Sequence, residues 1–315
     1  MKANRAPRAR LHARDEQAGA EVVGALILFG IFVTTIAILN VTAVPNAGLA
    51  AEEAHFDRAL SALNGLQSEA ETAAIPGNLG ATVARSLDLA PARSVGQDLF
   101  SYFMATPARA SGELTFEPAY GGLSVWHYRQ APPGRLDDIG TETAPLPLGR
   151  VTFDPHPVFR GEGTVRLENG AVVTTGPSTS VMRYDPPVSV SVEGDTTYVA
   201  MRARILNGTA ASVGGNAPVR ALLTTEAATL TSPLSNNAQN VTMRIETAHG
   251  EAWREHLDRI SVAAGLAVGA QYHAGLAAGA GPGGLDVVTW HVNGTSTGND
   301  VRLTTGLAVY RVTLS

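Results

Sequence analysis

Two imidazoles in one short segment, His249-Gly-Glu-Ala-Trp-Arg-Glu-His256, come nearest to a metal-ligand spacing in this chain. Zinc helices place two histidines at i and i+4 with a glutamate between them, so that both rings share a face. This segment lacks that pair and reads as a solvated helix face. The remaining histidines, His12, His55, His127, His156, His273 and His291, are scattered. Asp154, Glu162, Asp185, Glu193 and Asp195 offer the oxygen donors that calcium takes, although carboxylates beside turns are ordinarily just solvated. Gly279-Ala-Gly-Pro-Gly-Gly284 lacks the Lys-Ser/Thr of a phosphate loop. The chain has no cysteine, which excludes disulfides and thiolate metal sites. No catalytic constellation is visible, so the expectation is a protein without enzymatic activity, cofactor or metal.

A different chemistry is written at the N-terminal end. Glu21 heads the stretch Val-Val-Gly-Ala-Leu-Ile-Leu-Phe-Gly-Ile-Phe-Val-Thr-Thr-Ile-Ala-Ile-Leu, and residues 22–39 carry no charge. A helix needs about 20 apolar residues, at 1.5 Å each, to cross a hydrocarbon core. Lys2, Arg5, Arg8, Arg10 and Arg14, against Asp15 and Glu16, place the N-terminal side in the cytoplasm and everything after residue 39 outside. A carboxylate in the first turn of such a helix can face the helix dipole and the uncapped amides, or neutralise the N-terminal ammonium of a neighbouring subunit. Ala18, Gly19 and Ala20 are the small residues a peptidase needs if it is to thread an extended strand just before the apolar run.

This arrangement resembles the class III signal peptides of type IV pilins and archaeal flagellins, in which a short basic leader is cut on the cytoplasmic side and the apolar helix stays on the mature protein. Archaeal type IV pilin-like proteins typically read basic residue, small residue, Gln-Ser-Glu-Val-Val-Gly. Here Gln17-Ala18-Gly19-Ala20-Glu21-Val22-Val23-Gly24 preserves the Glu-Val-Val-Gly core, with Gln17 where the family usually has Lys or Arg. The resemblance implies cleavage at Ala18-Gly19, or alternatively at Gly19-Ala20, by a prepilin-type signal peptidase. It also implies a role for Glu21 in assembly, with other pilin-like subunits and membrane lipid as partners of the helix. Gly149-Arg-Val-Thr-Phe153, Glu168-Asn-Gly-Ala-Val-Val173 and Asp185-Pro-Pro-Val-Ser-Val190 look like segments of archaeal surface proteins with this N-terminus. The resemblance covers the first forty or so residues well and the rest in patches.

Composition fits an exported, folded protein: 44% of residues are hydrophobic and 16% charged, which permits a packed core and argues against disorder. The net charge is −5, and removing a leader of net +3 leaves −8, which excludes bulk neutralisation of nucleic-acid phosphates. Asn40, Asn207, Asn240 and Asn293 each open an Asn-x-Thr sequon, as candidate N-glycosylation sites on an extracytoplasmic surface.

The elements that must carry these residues are an N-terminal helix and a β domain. Residues 1–18 form the leader. Residues 19–75 form a transmembrane and amphipathic stalk helix bent at Pro45, with Leu49, Phe56, Leu60 and Leu63 on one face; the alternative is a separate helix folding back on the β domain. Residues 76–315 form an extracytoplasmic, mainly β domain, with a possible loop division at 131–148. Within it, Val83, Leu87 and Leu89, then Leu99, Phe100, Tyr102, Phe103 and Met104, suggest short helices. Strands are expected at 113–117 and 123–128 across Gly121-Gly122. Thr164-Val-Arg-Leu-Glu168 and Ala171-Val-Val-Thr-Thr175 flank Asn169-Gly170, which suits a type I′ hairpin turn with Leu167 facing Val172. Further strands are expected at 188–192, 199–205, 219–225, 241–247, 285–292 and 307–314, a helix at 251–260 on Trp253, Leu257 and Ile260, and a loop, or alternatively a small-residue helix, through the Ala/Gly-rich 263–284.

The expected fold class is therefore α+β, an N-terminal helix followed by a mainly antiparallel, sandwich-like or barrel-like domain. The expected function is a pilin-like cell-surface structural protein, a type IV pilus or related filament subunit, with a β domain for adhesion. Its outer region of 76–315 is large for a major pilin, which points to a minor subunit. The alternative is a non-polymerising, single-pass membrane-anchored surface protein that binds a glycan, peptide or ion.

Overall fold

The computed structural model describes residues 8–74, 78–91, 110–128, 145–177, 179–230, 235–294 and 301–315. The chain divides into two compact units, Met1–Ala51 with Arg93–Pro107 and Glu52–Ala92 with Ala108–Ser315.

Helix α1 (Arg8–Ala73) contributes to both. It begins well before residue 19 and passes Pro45 without a break. Proline removes one donor and leaves the i−4 carbonyl without its usual partner, yet the Ala- and Leu-rich flanks favour helix on both sides. The end at Ala73 is closed locally: the Ala74 N–H donates to the Ala70 carbonyl at 2.9 Å, and Asn78 Nδ2 donates to the Ala73 carbonyl at 3.2 Å.

The β unit contains, in chain order, β1 (Thr82–Asp88), β2 (Ser111–Tyr128), β3 (Leu146–His156), β4 (Thr164–Glu168), β5 (Ala171–Thr175), β6 (Ser180–Tyr184), β7 (Val188–Glu193) and β8 (Thr196–Asn207). It continues through β9 (Ala211–Gly215), β10 (Pro218–Leu230), β11 (Ser235–Ala238), β12 (Asn240–Thr247), helix α2 (Gly250–Ala263), β13 (Tyr272–Ala277), a 3-10 turn (Pro282–Gly284), β14 (Asp286–Asn293) and β15 (Val301–Leu314). One sheet has the order β1-β10-β15-β8-β7, with β11 also on β15; the other runs β13-β14-β12-β2-β3-β4-β5-β6, with β9 also on β2. Among the described residues, every pairing of named strands is antiparallel except β15 on β8, which is parallel. The architecture is α+β, with one N-terminal apolar helix and mostly antiparallel, curled sheets.

Two apolar cores hold this unit together. The first combines Phe56, Leu63, Leu66 and Ala70 of α1 with Leu114 and Phe116 of β2, Phe153 of β3, Leu167 of β4, Leu223 of β10 and Tyr310 of β15. The second gathers Trp253 and Leu257 of α2 with Met243, Tyr272, Trp290 and Val292 beneath them and Val199 and Leu303 from the other sheet. Strand β5 belongs to both: Val172 faces the first core while Ala171 and Val173 face the second. That two-sided burial explains its near-continuous apolar sequence.

The expected hairpin forms with Leu167 opposite Val172, and Asn169 and Gly170 take φ of 43° and 78°, the left-handed pair of a type I′ turn. Several expectations fail. Thr82–Asp88 is a strand, because Val83 and Leu87 pair with Leu223 and Val219 of β10; residues 99–104 lie outside the described residues. Gly121-Gly122 is no turn but the middle of β2, beyond a bulge after Glu117. A Cβ on Gly121 would collide with the Glu246 carbonyl of β12, so glycine is needed there for close strand approach. The Ala/Gly-rich stretch holds β13, which pairs with β14 along its length. Of the proposed division at 131–148, residues 131–144 lie outside the described residues and 146–148 open β3.

Candidate functional site

Residues 21–38 of the N-terminal unit present their apolar side chains to the surroundings. The window Glu21–Ile38 is long and apolar enough to cross a membrane and none of it is buried; Leu28 and Phe29, for example, are 69% and 65% exposed. The hydroxyls of Thr34, Thr35 and Thr42 are satisfied within the helix, each donating at 2.8 Å to the carbonyl four residues earlier. A helix surrounded by hydrocarbon needs that internal satisfaction. Glu21 is exposed at the start of the window. Ala18, Gly19 and Ala20 lie inside α1, so both candidate scissile bonds are helical rather than extended.

Within the β unit, residues 52–73 of α1 are docked by polar as well as apolar groups. Glu52 is 6% exposed, and its carboxylate accepts the backbone N–H groups of Val158, Phe159 and Arg160 at 2.8, 3.0 and 2.7 Å. Three amides converging on one carboxylate form an anion-binding nest. The Arg160 guanidinium lies over the Phe56 ring, 3.6 Å from its centre. His55 hydrogen bonds through Nε2 to the Asp88 carbonyl at 2.6 Å and meets Phe153 edge to face. Arg204, 3% exposed, pairs with Glu71 at 2.7 Å, and the Tyr310 hydroxyl donates to the Ala70 carbonyl at 3.0 Å.

A second polar cluster lies where α2 meets β4. Glu168 is 2% exposed, and its Oε1 accepts from the Thr247 hydroxyl and the Trp253 indole, both at 2.7 Å. Glu117, Arg150 and Glu168 form a row across β2, β3 and β4, and the Arg150 guanidinium also sits 3.5 Å from the centre of the Tyr120 ring. Arg166 donates through Nη1 to His249 Nε2 at 2.8 Å. An imidazole nitrogen that accepts from a guanidinium carries no proton, and burial correspondingly lowers the His249 pKa, partly opposed by Glu168. Burial likewise pushes the Tyr120 phenol up, with Glu168 adding to it, and pulls Arg166 down. The N-terminus of α2 lacks a side-chain cap from His249; Asp286 supplies one from β14, accepting the Gly250 N–H at 3.2 Å.

Residues 142–271 match the model of a family described as DUF7289, a family of unknown function. The match takes in Arg150, Arg166, Glu168, His249 and Trp253 but not α1. No curated protein and no solved structure matches the chain.

The expected solvated face around His249 and His256 is corrected: each residue is only 2% exposed. His256 Nδ1 lies 3.0 Å from Arg259 Nη2 and 3.2 Å from Asp185 Oδ1. Among the described residues, no three of His, Asp and Glu gather as a metal site, so Asp154, Glu162, Asp185, Glu193 and Asp195 are not brought together. Asn207 is exposed at the end of β8, Asn240 and Asn293 oppose one another across β12 and β14, and Asn40 belongs to α1. One pattern was missed in the sequence: Gly294-Thr-Ser-Thr-Gly298 has the Gly-x-Ser-x-Gly spacing. A nucleophile elbow joins a strand to a helix, whereas this segment follows β14 and precedes β15, and its residues 295–298 lie outside the described residues. Glu52 and Glu168 were also missed; for Glu168 the available signal was its place beside a hairpin turn on the same face as Arg166.

Proposed function

We propose that this chain is a pilin-like cell-surface subunit, kept in the membrane or in a surface filament by residues 21–38 after removal of its basic leader. The single observation that carries the reading is the exposed apolar window headed by Glu21, on a helix whose later residues 52–73 are built into the β unit's first core. The Glu-Val-Val-Gly resemblance to archaeal type IV pilin-like proteins supports it. On this reading a prepilin-type peptidase cuts at Ala18-Gly19 or Gly19-Ala20, the β unit lies outside the cell, and Glu21 pairs with the new N-terminal ammonium of a neighbouring subunit.

Intact mass of the membrane-extracted protein tests this directly. A mature N-terminus at Gly19 or Ala20 is expected; an uncut Met1, or loss of the whole apolar window, would reject it. Glu21→Ala should leave membrane insertion intact while abolishing recovery in sheared surface filaments. Correct cleavage without any filament recovery from the native protein would favour the anchored, non-polymerising surface protein.

A further inference from the structure

Strands β13, β14, β12 and β2 lie side by side, and their register sets His273, His291, Thr242 and Trp126 in one transverse row. Their chain neighbours Tyr272, Trp290, Val292, Val241 and Met243 are buried in the second core. Strand alternation therefore puts the row on the opposite face, where His273 is exposed and His291 half-buried. Directly opposed residues of an antiparallel pair have Cβ atoms about 4.5–5.5 Å apart. From that Cβ spacing, rotation of the two side chains can bring both rings onto one cation, with metal–nitrogen bonds of about 2.0–2.1 Å.

Three further details fit a ligating pair. His291 Nδ1 is 2.7 Å from the Thr242 hydroxyl oxygen. With that oxygen accepting, the Nδ1 position holds the proton and Nε2 keeps its lone pair, which is how outer partners prepare metal-binding histidines. Gly275 follows His273 on the same face, and a Cβ there would come within 3.1 Å of His273 Nε2, so the missing side chain is the room that this ring uses. The nearest cationic side chain on this face by register, Arg244, has Nη2 at 3.1 Å from Glu246 Oε1, which offsets its charge.

We propose that His273 and His291 form a two-imidazole site for a first-row divalent cation such as nickel or zinc, with Thr242 as the positioning residue for His291. Imidazole suits these ions. Two protein ligands leave at least two coordination positions for water or for a donor from outside the chain. No group of three protein ligands is involved, so the site would be open and exchangeable. It is independent of the proposed assembly role.

The test is calorimetric titration of the full chain in detergent with Ni²⁺ alone, alongside histidine-selective NMR to record which imidazole signals the paramagnetic ion broadens. One saturable equivalent is expected, broadening His273 and His291 first. His273→Ala and His291→Ala should each weaken binding at least about tenfold, and Thr242→Val by about 10–100-fold. His156→Ala, an exposed imidazole on β3, should leave it unchanged. Retention of full affinity in either His273→Ala or His291→Ala, or no saturable binding at about 1 mM Ni²⁺, would overturn the site. Unchanged affinity in Thr242→Val would overturn the positioning role. Because His273 is exposed, its removal leaves the fold intact, and the unfolding temperature of that variant checks this.

Discussion

Thr247 gives its hydroxyl proton to Glu168 and takes the His249 amide in return, at 2.7 and 3.0 Å. Both exchanges occur in a buried setting, where a polar group left without its partner costs more than the bond contributed. Thr247→Val, nearly equal in size, is expected to lower stability by about 2–3 kcal/mol in chemical denaturation; a change below 0.5 kcal/mol would show that the cluster relaxes around the loss. The imidazoles of His55, His249 and His256 make a pH prediction. Burial is the leading cause that lowers each from the ordinary 6.5. His55 also faces Arg58, Asp88 and Glu52; His249 faces Glu168, Arg166, Arg150 and Asp286; His256 faces Asp185 and Arg259. Below 6.5 the unfolded chain takes up protons that the folded chain refuses, so unfolding gains free energy as pH falls. The stability associated with these residues is complete above about pH 6.5 and declines below it, through the lowered folded values. Thermal unfolding followed from pH 7.5 to 5 should therefore show a falling midpoint; a rising midpoint would contradict it.

At the scale of elements, residues 52–73 of α1 are a structural part of the β unit. Leu63 and Leu66 are fully buried there, so Leu63→Ala is expected to cost about 2–5 kcal/mol, read from a denaturant midpoint. A loss under 1 kcal/mol would mean this segment of helix is dispensable to the core. Legibility from sequence followed the range of the forces involved. The Asn169-Gly170 hairpin was readable because two adjacent residues dictate the turn, and α2 because Trp253 and Leu257 repeat at helical spacing. Strand β1 was misread because Val83 and Leu87 also fit a helical spacing, and only pairing with β10, far along the chain, decides between them. Strand β13 was hidden by alanine and glycine, whose small side chains mark neither period. The Glu168 cluster and the His273–His291 pair depend on strand register between distant segments, which no local pattern encodes.

For the whole molecule, both apolar cores lie in the unit formed by Glu52–Ala92 and Ala108–Ser315. A fragment starting at Gly48 should therefore fold in plain buffer with one cooperative transition, whereas the full chain with its exposed apolar window should need detergent or lipid. Size-exclusion chromatography with circular dichroism would decide, and an aggregated or unfolded fragment would show that the earlier residues are required. The parallel pairing of β15 with β8 sets a further condition. Strand β15 lies between β10 and β8, so among the described residues β1 and β10 join the β8–β7 pair only through a strand made after all of them. If the protein is threaded across a membrane as it is made, that sheet stays in two open halves until translation has passed Leu314. Until then the edges of β8 and β10 present unpaired N–H and C=O groups, open to pairing with another chain.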